Sequence, residues 1–142
     1  MNKNQINEEI NECVDNFNTI CMKISNHFST KFPKDLEVDV YKTAVMDFIK
    51  KKPREPISLF IKNVYANDKY RESIMSSNEN FFTNNNFDNL TQNDQSKMDI
   101  MHQIKSYWTK LSGNSRKFIF GALQMLIDIC ECYISKKTKL VQ

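Results

Sequence analysis

Glycine is almost missing from this chain. Two residues, Gly113 and Gly121, are all that 142 positions hold. Neither a P-loop nor a dinucleotide fingerprint can be built on them, because both need several glycines within one short turn to let backbone N–H groups approach phosphate. Proline is scarce too, with Pro33, Pro53 and Pro56 only, so few points force a helix to stop. Two histidines, His27 and His102, are present, and no GxSxG or catalytic-cysteine signature accompanies them. Nucleophilic catalysis needs a nucleophile, a base and an orienting group, and no such set is visible. Four cysteines, Cys13, Cys21, Cys130 and Cys132, lack zinc spacing. On a helix Cys130 and Cys132 point about 200° apart, which does not chelate one ion. The sequence therefore predicts no enzyme, no cofactor and no metal site.

A secretory leader is also absent from the opening residues, MNKNQINEEINE, which are polar and acidic. The expectation is a protein that is not secreted, with free thiols serving as small core residues. The sequon Asn89-Leu90-Thr91 is then a chance match. Alanine and arginine number three each, against 17 Asn, 17 Lys and 14 Ile. Those skews follow codon AT content, so the lysine count alone says little about function.

What the chain does have is helical periodicity. From Ile6 to Phe28 the apolar residues Ile6, Ile10, Cys13, Val14, Phe17, Ile20, Cys21, Ile24 and Phe28 step by threes and fours, one stripe of an amphipathic helix. A second helix is predicted from Asp35, its N-cap, to Lys51, burying Tyr41, Ala44, Val45, Phe48 and Ile49. Pro53 and Pro56 break the chain, and a third helix runs from Pro56 to Ala66. Asn67 is either its C-terminal stop or the N-cap of a short fourth helix from Asp68 to Ser76, and a further turn carries Phe81 and Phe82. Residues 83–94 are expected to be an exposed polar loop, pinned by Phe87 and Leu90. A helix over Asp94–Leu111 presents Met101, Ile104, Trp108 and Leu111, and Gly113 supplies a left-handed stop.

The last helix, residues 114–135, is the most apolar. Between Phe118 and Ile134, 13 of 17 residues are apolar, which predicts a helix buried on all sides. A membrane anchor is the rival reading. The run is short of the roughly 20 residues a span needs, and it contains Gln124, Asp128 and Glu131. Each acid at mid-membrane would cost roughly 2.5–3.5 kcal/mol. The expected fold class is all-α: one domain over 1–142, a compact bundle of five to six helices with the C-terminal helix central and no membrane contact.

The net charge of +3 comes in blocks: −3 over residues 1–40, +4 over 41–76, −3 over 77–100 and +5 over 101–142. Such alternation suits complementary surface patches. Two basic clusters stand out, Lys50, Lys51, Lys52 and Arg54, and Lys136, Lys137 and Lys139. They could contact phosphates without reading sequence. Both also sit at predicted helix C-termini, where lysine complements the dipole.

Two stretches, residues 56–82 and 104–127, together resemble small helical proteins of unassigned activity from giant nucleocytoplasmic large DNA viruses. The pattern is carried by Phe60, Ile61, Tyr65, Tyr70, Ile74, Glu79, Phe81 and Phe82, then Trp108, Leu111, Lys117, Ile119 and Leu123. Gly121 departs from it, since an aromatic residue is frequent there. The resemblance implies a viral helical protein working in the host cytoplasm, at a viral factory, or in the virion. The functional expectation is a non-enzymatic protein-interaction module, a structural or host-modulating protein. Its partner is an unidentified protein, or a second copy through the first helix, although that helix's stripe packs more readily within the chain. The alternative is a nucleic-acid-associated protein using the two basic clusters.

Overall fold

The computed structural model describes residues 2–83, 87 and 91–141. Helix α1, Lys3–Lys31, opens on Asn2, whose side chain accepts from the Gln5 N–H at 2.8 Å. It buries the predicted stripe from Ile6 to Ile20, leaves Cys21, Ile24 and Phe28 half-buried, and stops where the Phe32 N–H donates to the Phe28 carbonyl at 2.9 Å, just before Pro33. Helix α2, Leu36–Lys51, starts at Asp35, which accepts from the Glu37 and Val38 N–H groups at 3.0 and 3.3 Å. Helix α3, Glu55–Phe60, carries Pro56 in its first turn, where a missing N–H costs nothing. It widens into a π-helical turn, Ile61–Tyr65, closed by the Ala66 N–H on the Ile61 carbonyl.

Helix α4, Asp68–Met75, is capped by Asn67, and the short α5 spans Asn80–Thr83. Helix α6, Gln95–Lys110, is capped by Asp94 and α7, Gly113–Leu140, by Ser112. Among the described residues there is no strand, and the fold is an all-α bundle.

Two local expectations need revision. Gly113 is the first residue of α7 and has no positive φ; the turn is made by extended Leu111 and Ser112. The serine hydroxyl can take the cap because the chain arrives extended. Half of the expected 83–94 loop, including Leu90 and Asn89, lies outside the described residues. Phe87 does pin it: the ring is buried edge-on against Tyr70 and Phe81, at 5.6 and 5.4 Å.

The core forms around α7. Ile6, Ile10, Val14, Phe17 and Ile20 of α1 pack with Ala122, Leu126, Cys130 and Tyr133 of α7, with Ile57 closing the cluster. Ile127 joins Tyr70, Ile74, Phe81 and Phe87 in a second cluster. Ile119 and Phe120 join Trp108 and Leu111 in a third. Each of these large side chains contributes about 1.5–3 kcal/mol by leaving water. Tyr70, Ile74, Phe81, Trp108, Leu111 and Ile119, which carry the viral resemblance, are thus core positions. A Cβ on Gly121 would meet open space.

Helix α7 is central, as expected, but not buried all round. Phe118 and Met125 stay 41% and 50% exposed, beside solvated Lys117, Asp128 and Glu131. Neighbours cover one broad side only. The helix is long and apolar enough to cross a membrane, yet its covered side is filled by α1, whose first turns carry Glu8, Glu9, Glu12 and Asp15. Helix α2 also departs from expectation: it packs on α1 and not around α7.

Candidate interaction surface

Helix α2 has two apolar rows, and the bundle uses only one of them. Val38, Tyr41, Val45 and Ile49 turn toward α1, and of these only Val38 is fully buried. The second row is Leu36, Val40, Ala44 and Phe48, spaced by four residues so that they stack along one face. All four are exposed, Leu36 by 79% and Val40 by 63%. The sequence assigned Ala44 and Phe48 to the buried face. They are not there because α2 has a neighbour on one side only.

Polar bridges hold α2 to α6. The Tyr107 hydroxyl donates to Asp35 Oδ2 at 2.8 Å, and Gln103 Nε2 donates to Glu37 Oε2 at 2.7 Å. Tyr41 in turn donates its hydroxyl to Gln103 Oε1. The Tyr107 bond holds the Asp35 carboxyl below its ordinary range, with two backbone N–H groups adding to the effect. Burial, then that same bond and the Asp35 charge, push the Tyr107 phenol up to about 12. Between the bridges and α1 lies a groove of about 350 Å³, walled by Ile24, Phe28, Val38, Val45, Ile104 and Tyr107. It is continuous with the exposed row, since Ala44 belongs to both.

Charge along α2 is polarised. Asp35, Glu37 and Asp39 occupy its start, and Lys50, Lys51 and Lys52 its end. Among the described residues Lys51 pairs with Asp47, a solvated contact at 3.0 Å.

The structure brings the two basic clusters to the same end of the bundle, on opposite flanks of α1. Arg54 donates to Asn11 Oδ1 at 2.7 Å, and Asn18 Nδ2 donates to the Pro53 carbonyl at 2.8 Å. On the other flank Lys136 pairs with Glu9 at 2.6 Å, while Lys137 lies over the Tyr133 ring at 5.6 Å and Lys139 is exposed. Between the clusters runs the acidic start of α1. A phosphate backbone crossing from Lys50–Lys52 to Lys136–Lys139 would pass over Glu8, Glu12 and Asp15, and two of the seven cations already have partners on α1.

Helix α1 keeps its apolar stripe for α7, the in-chain alternative of the sequence reading. Cys13 and Cys130 are buried and Cys21 is half-buried, as core thiols should be; Cys132 is exposed and is not a core residue. His102 is exposed. His27 is half-buried, its ring stacked on Phe118 at 4.5 Å. Compared with protein-family models, with curated proteins and with solved structures, the chain matches none.

Proposed function

We propose that the protein is a non-enzymatic interaction module that self-associates through α2, two copies laying these helices antiparallel about a twofold axis. The exposed Leu36–Val40–Ala44–Phe48 row carries the reading. A face of this regularity left in water is what an isologous helix pair covers. Ala44, the smallest residue of the row, suits the axis, where the two backbones come closest. With Ala44 on the axis, Val40 of one copy meets Phe48 of the other. Glu37 then faces Lys51, and Asp39 lies one residue out of level with Lys50. The charge gradient of α2 is therefore self-complementary in the antiparallel sense and repulsive in the parallel one.

A helix of about 24 Å covers only a few hundred Å² per copy, even with the groove flank added. That is below the roughly 800 Å² of a standard interface, so an affinity on the order of 10 µM is expected. Sedimentation of the full chain from about 1 to 100 µM should show a monomer–dimer equilibrium, abolished by Leu36→Glu with Val40→Glu. Lys50→Glu with Lys51→Glu should weaken it at low salt, and adding Glu37→Lys with Asp39→Lys should restore it. A chain that remains monomeric at about 100 µM would overturn the proposal.

Binding to nucleic acid is the weaker reading, because acids separate the two clusters. Taken with the viral resemblance, self-association fits a structural component of a virion or factory better than a soluble decoy.

A further inference from the structure

The α1–α7 seam has a register that can be read from its two ends. His27 stacks on Phe118 at one end, and Glu9 pairs with Lys136 at 2.6 Å near the other. The two contacts are the same number of residues apart on each helix, so the helices run antiparallel without slippage. One turn inward from Glu9 on α1 is Cys13, and one turn inward from Lys136 on α7 is Cys132. The register therefore sets these two cysteines opposite one another. The two side chains are neighbours across the seam, close enough for Cys132 to add to the effect of burial on the Cys13 thiol. Cys13 is buried in the seam and Cys132 faces water. Helices pack with axes about 8–10 Å apart, so residues level with one another across a seam come within the reach of a disulfide.

We propose that Cys13 and Cys132 form a thiol–disulfide exchange site, at which a small oxidising disulfide of the glutathione class is reduced and the first and last long helices become covalently tied. The proposal does not depend on self-association through α2. In the first step the Cys132 thiolate attacks one sulfur of the small disulfide. Its S–S bond breaks, one small thiolate leaves, and Cys132 carries a mixed disulfide. In the second step Cys13, as thiolate, attacks the Cys132 sulfur and expels the second small thiolate. Two protein thiols are oxidised, one disulfide is reduced to two thiols, and the protons of Cys13 and Cys132 end on the released thiols.

The division of labour follows from access. Cys132 is the exposed thiol of the pair, and Cys13 is buried. Burial and the neighbouring sulfur push the Cys13 thiol up to about 11, which keeps it unreactive toward solvent oxidants, while the Lys136 ammonium partly offsets this. Once Cys132 is capped, Cys13 is held beside its sulfur, and intramolecular attack gains a large effective concentration. Cys21 and Cys130 lie deeper along the same seam, and burial pushes both up, to about 11 and about 12. They are not expected to exchange.

The test uses the reduced full-length chain incubated with oxidised glutathione. Free thiols should fall from four to two, with no glutathione retained, and non-reducing peptide mapping should join the peptides of Cys13 and Cys132. Closing so long a loop should raise the melting temperature by roughly 10 °C, reversed by reductant. Cys13→Ala should stop at a stable glutathione adduct on Cys132, and Cys132→Ser should lose no thiols. The second variant changes an exposed residue, so it reports even if the first fails to fold. A persistent adduct on Cys132 in the wild-type chain, a bond mapped to another pair, or chain-to-chain disulfides alone would each overturn the assignment.

Discussion

The two flanks of α1 are held by different physics. Toward α7 it makes a dry seam: Ile10, Phe17 and Cys130 retain at most 1% of their surface. Toward α2 a single residue, Val38, is fully buried, and the closure is completed by hydroxyl and amide bridges from α6. The difference teaches where stability and adaptability reside. Apolar close packing makes the seam all-or-none, because a void there forfeits contacts with no compensation. The bridged side exchanges hydrogen bonds with water at little net cost. It can therefore repack or open without unfolding the body, which is what a surface used for association requires.

The contrast can be broken most forcefully at Phe17. Its ring is 1% exposed and meets Phe60 edge-on at 5.4 Å. Phe17→Ala should cost about 3–5 kcal/mol, combining lost transfer energy with a residual cavity. Phe48→Ala on the exposed row should change the stability of the dilute monomer by less than about 0.5 kcal/mol. Urea denaturation of the two variants measures both. Similar losses would mean that α2 is as tightly integrated as α7.

A smaller effect should come from the bridge itself. Tyr107→Phe keeps the ring in the groove wall and removes the bond to Asp35, so a fall of a few degrees in melting temperature is expected. The pH dependence sharpens the claim. Asp35 is shifted below its ordinary 3.8, so its contribution is present above that value and fades as pH falls through the folded value. Tyr107 is shifted above its ordinary 10.0, so its contribution holds below 10 and fades toward about 12. The deficit of the variant should be greatest between those limits and shrink outside them. A deficit independent of pH would assign the effect to packing.

The same contrast explains what could be read from the amino-acid order. The α1 stripe was legible residue by residue, because steps of three and four define a face wherever the partner comes from. Asp35 and Asp94 were legible as helix starts because their caps are local; Asn67, open in the sequence between a stop and a start, is a cap. What covers a face is not local. The apolar residues of α2 were visible, but nothing in their spacing says that one row would find no neighbour in the chain. Helix α7 misled in the same way, since apolar residues on every side do not bring neighbours to every side. The pairing of Cys13 with Cys132 needs the antiparallel register, which arises only when two helices more than 80 residues apart meet. The basic clusters were visible too, but not the acidic strip of α1 that the fold lays between them.

The smallest expected effect lies at the far end of the seam, where dry packing admits one titratable group. His27 stacks on Phe118, and its Nε2 is buried without a hydrogen-bond partner among the described residues. Burial, and secondarily the charge of Lys31, lowers its pKa from the ordinary 6.5. The unfolded chain thus takes up a proton first as pH falls. The contribution of neutral His27 is full above 6.5 and declines as pH drops through the folded value. The wild-type chain should melt slightly lower at pH 5 than at pH 7. Asp35 adds little there, since its titration lies below 3.8. His27→Phe preserves a ring against Phe118 and removes the proton, so it should flatten that slope while leaving the pH 7 stability nearly unchanged. If the variant and the wild type show the same slope, the imidazole is hydrated in solution, and the dry seam ends one turn earlier, near Ile24.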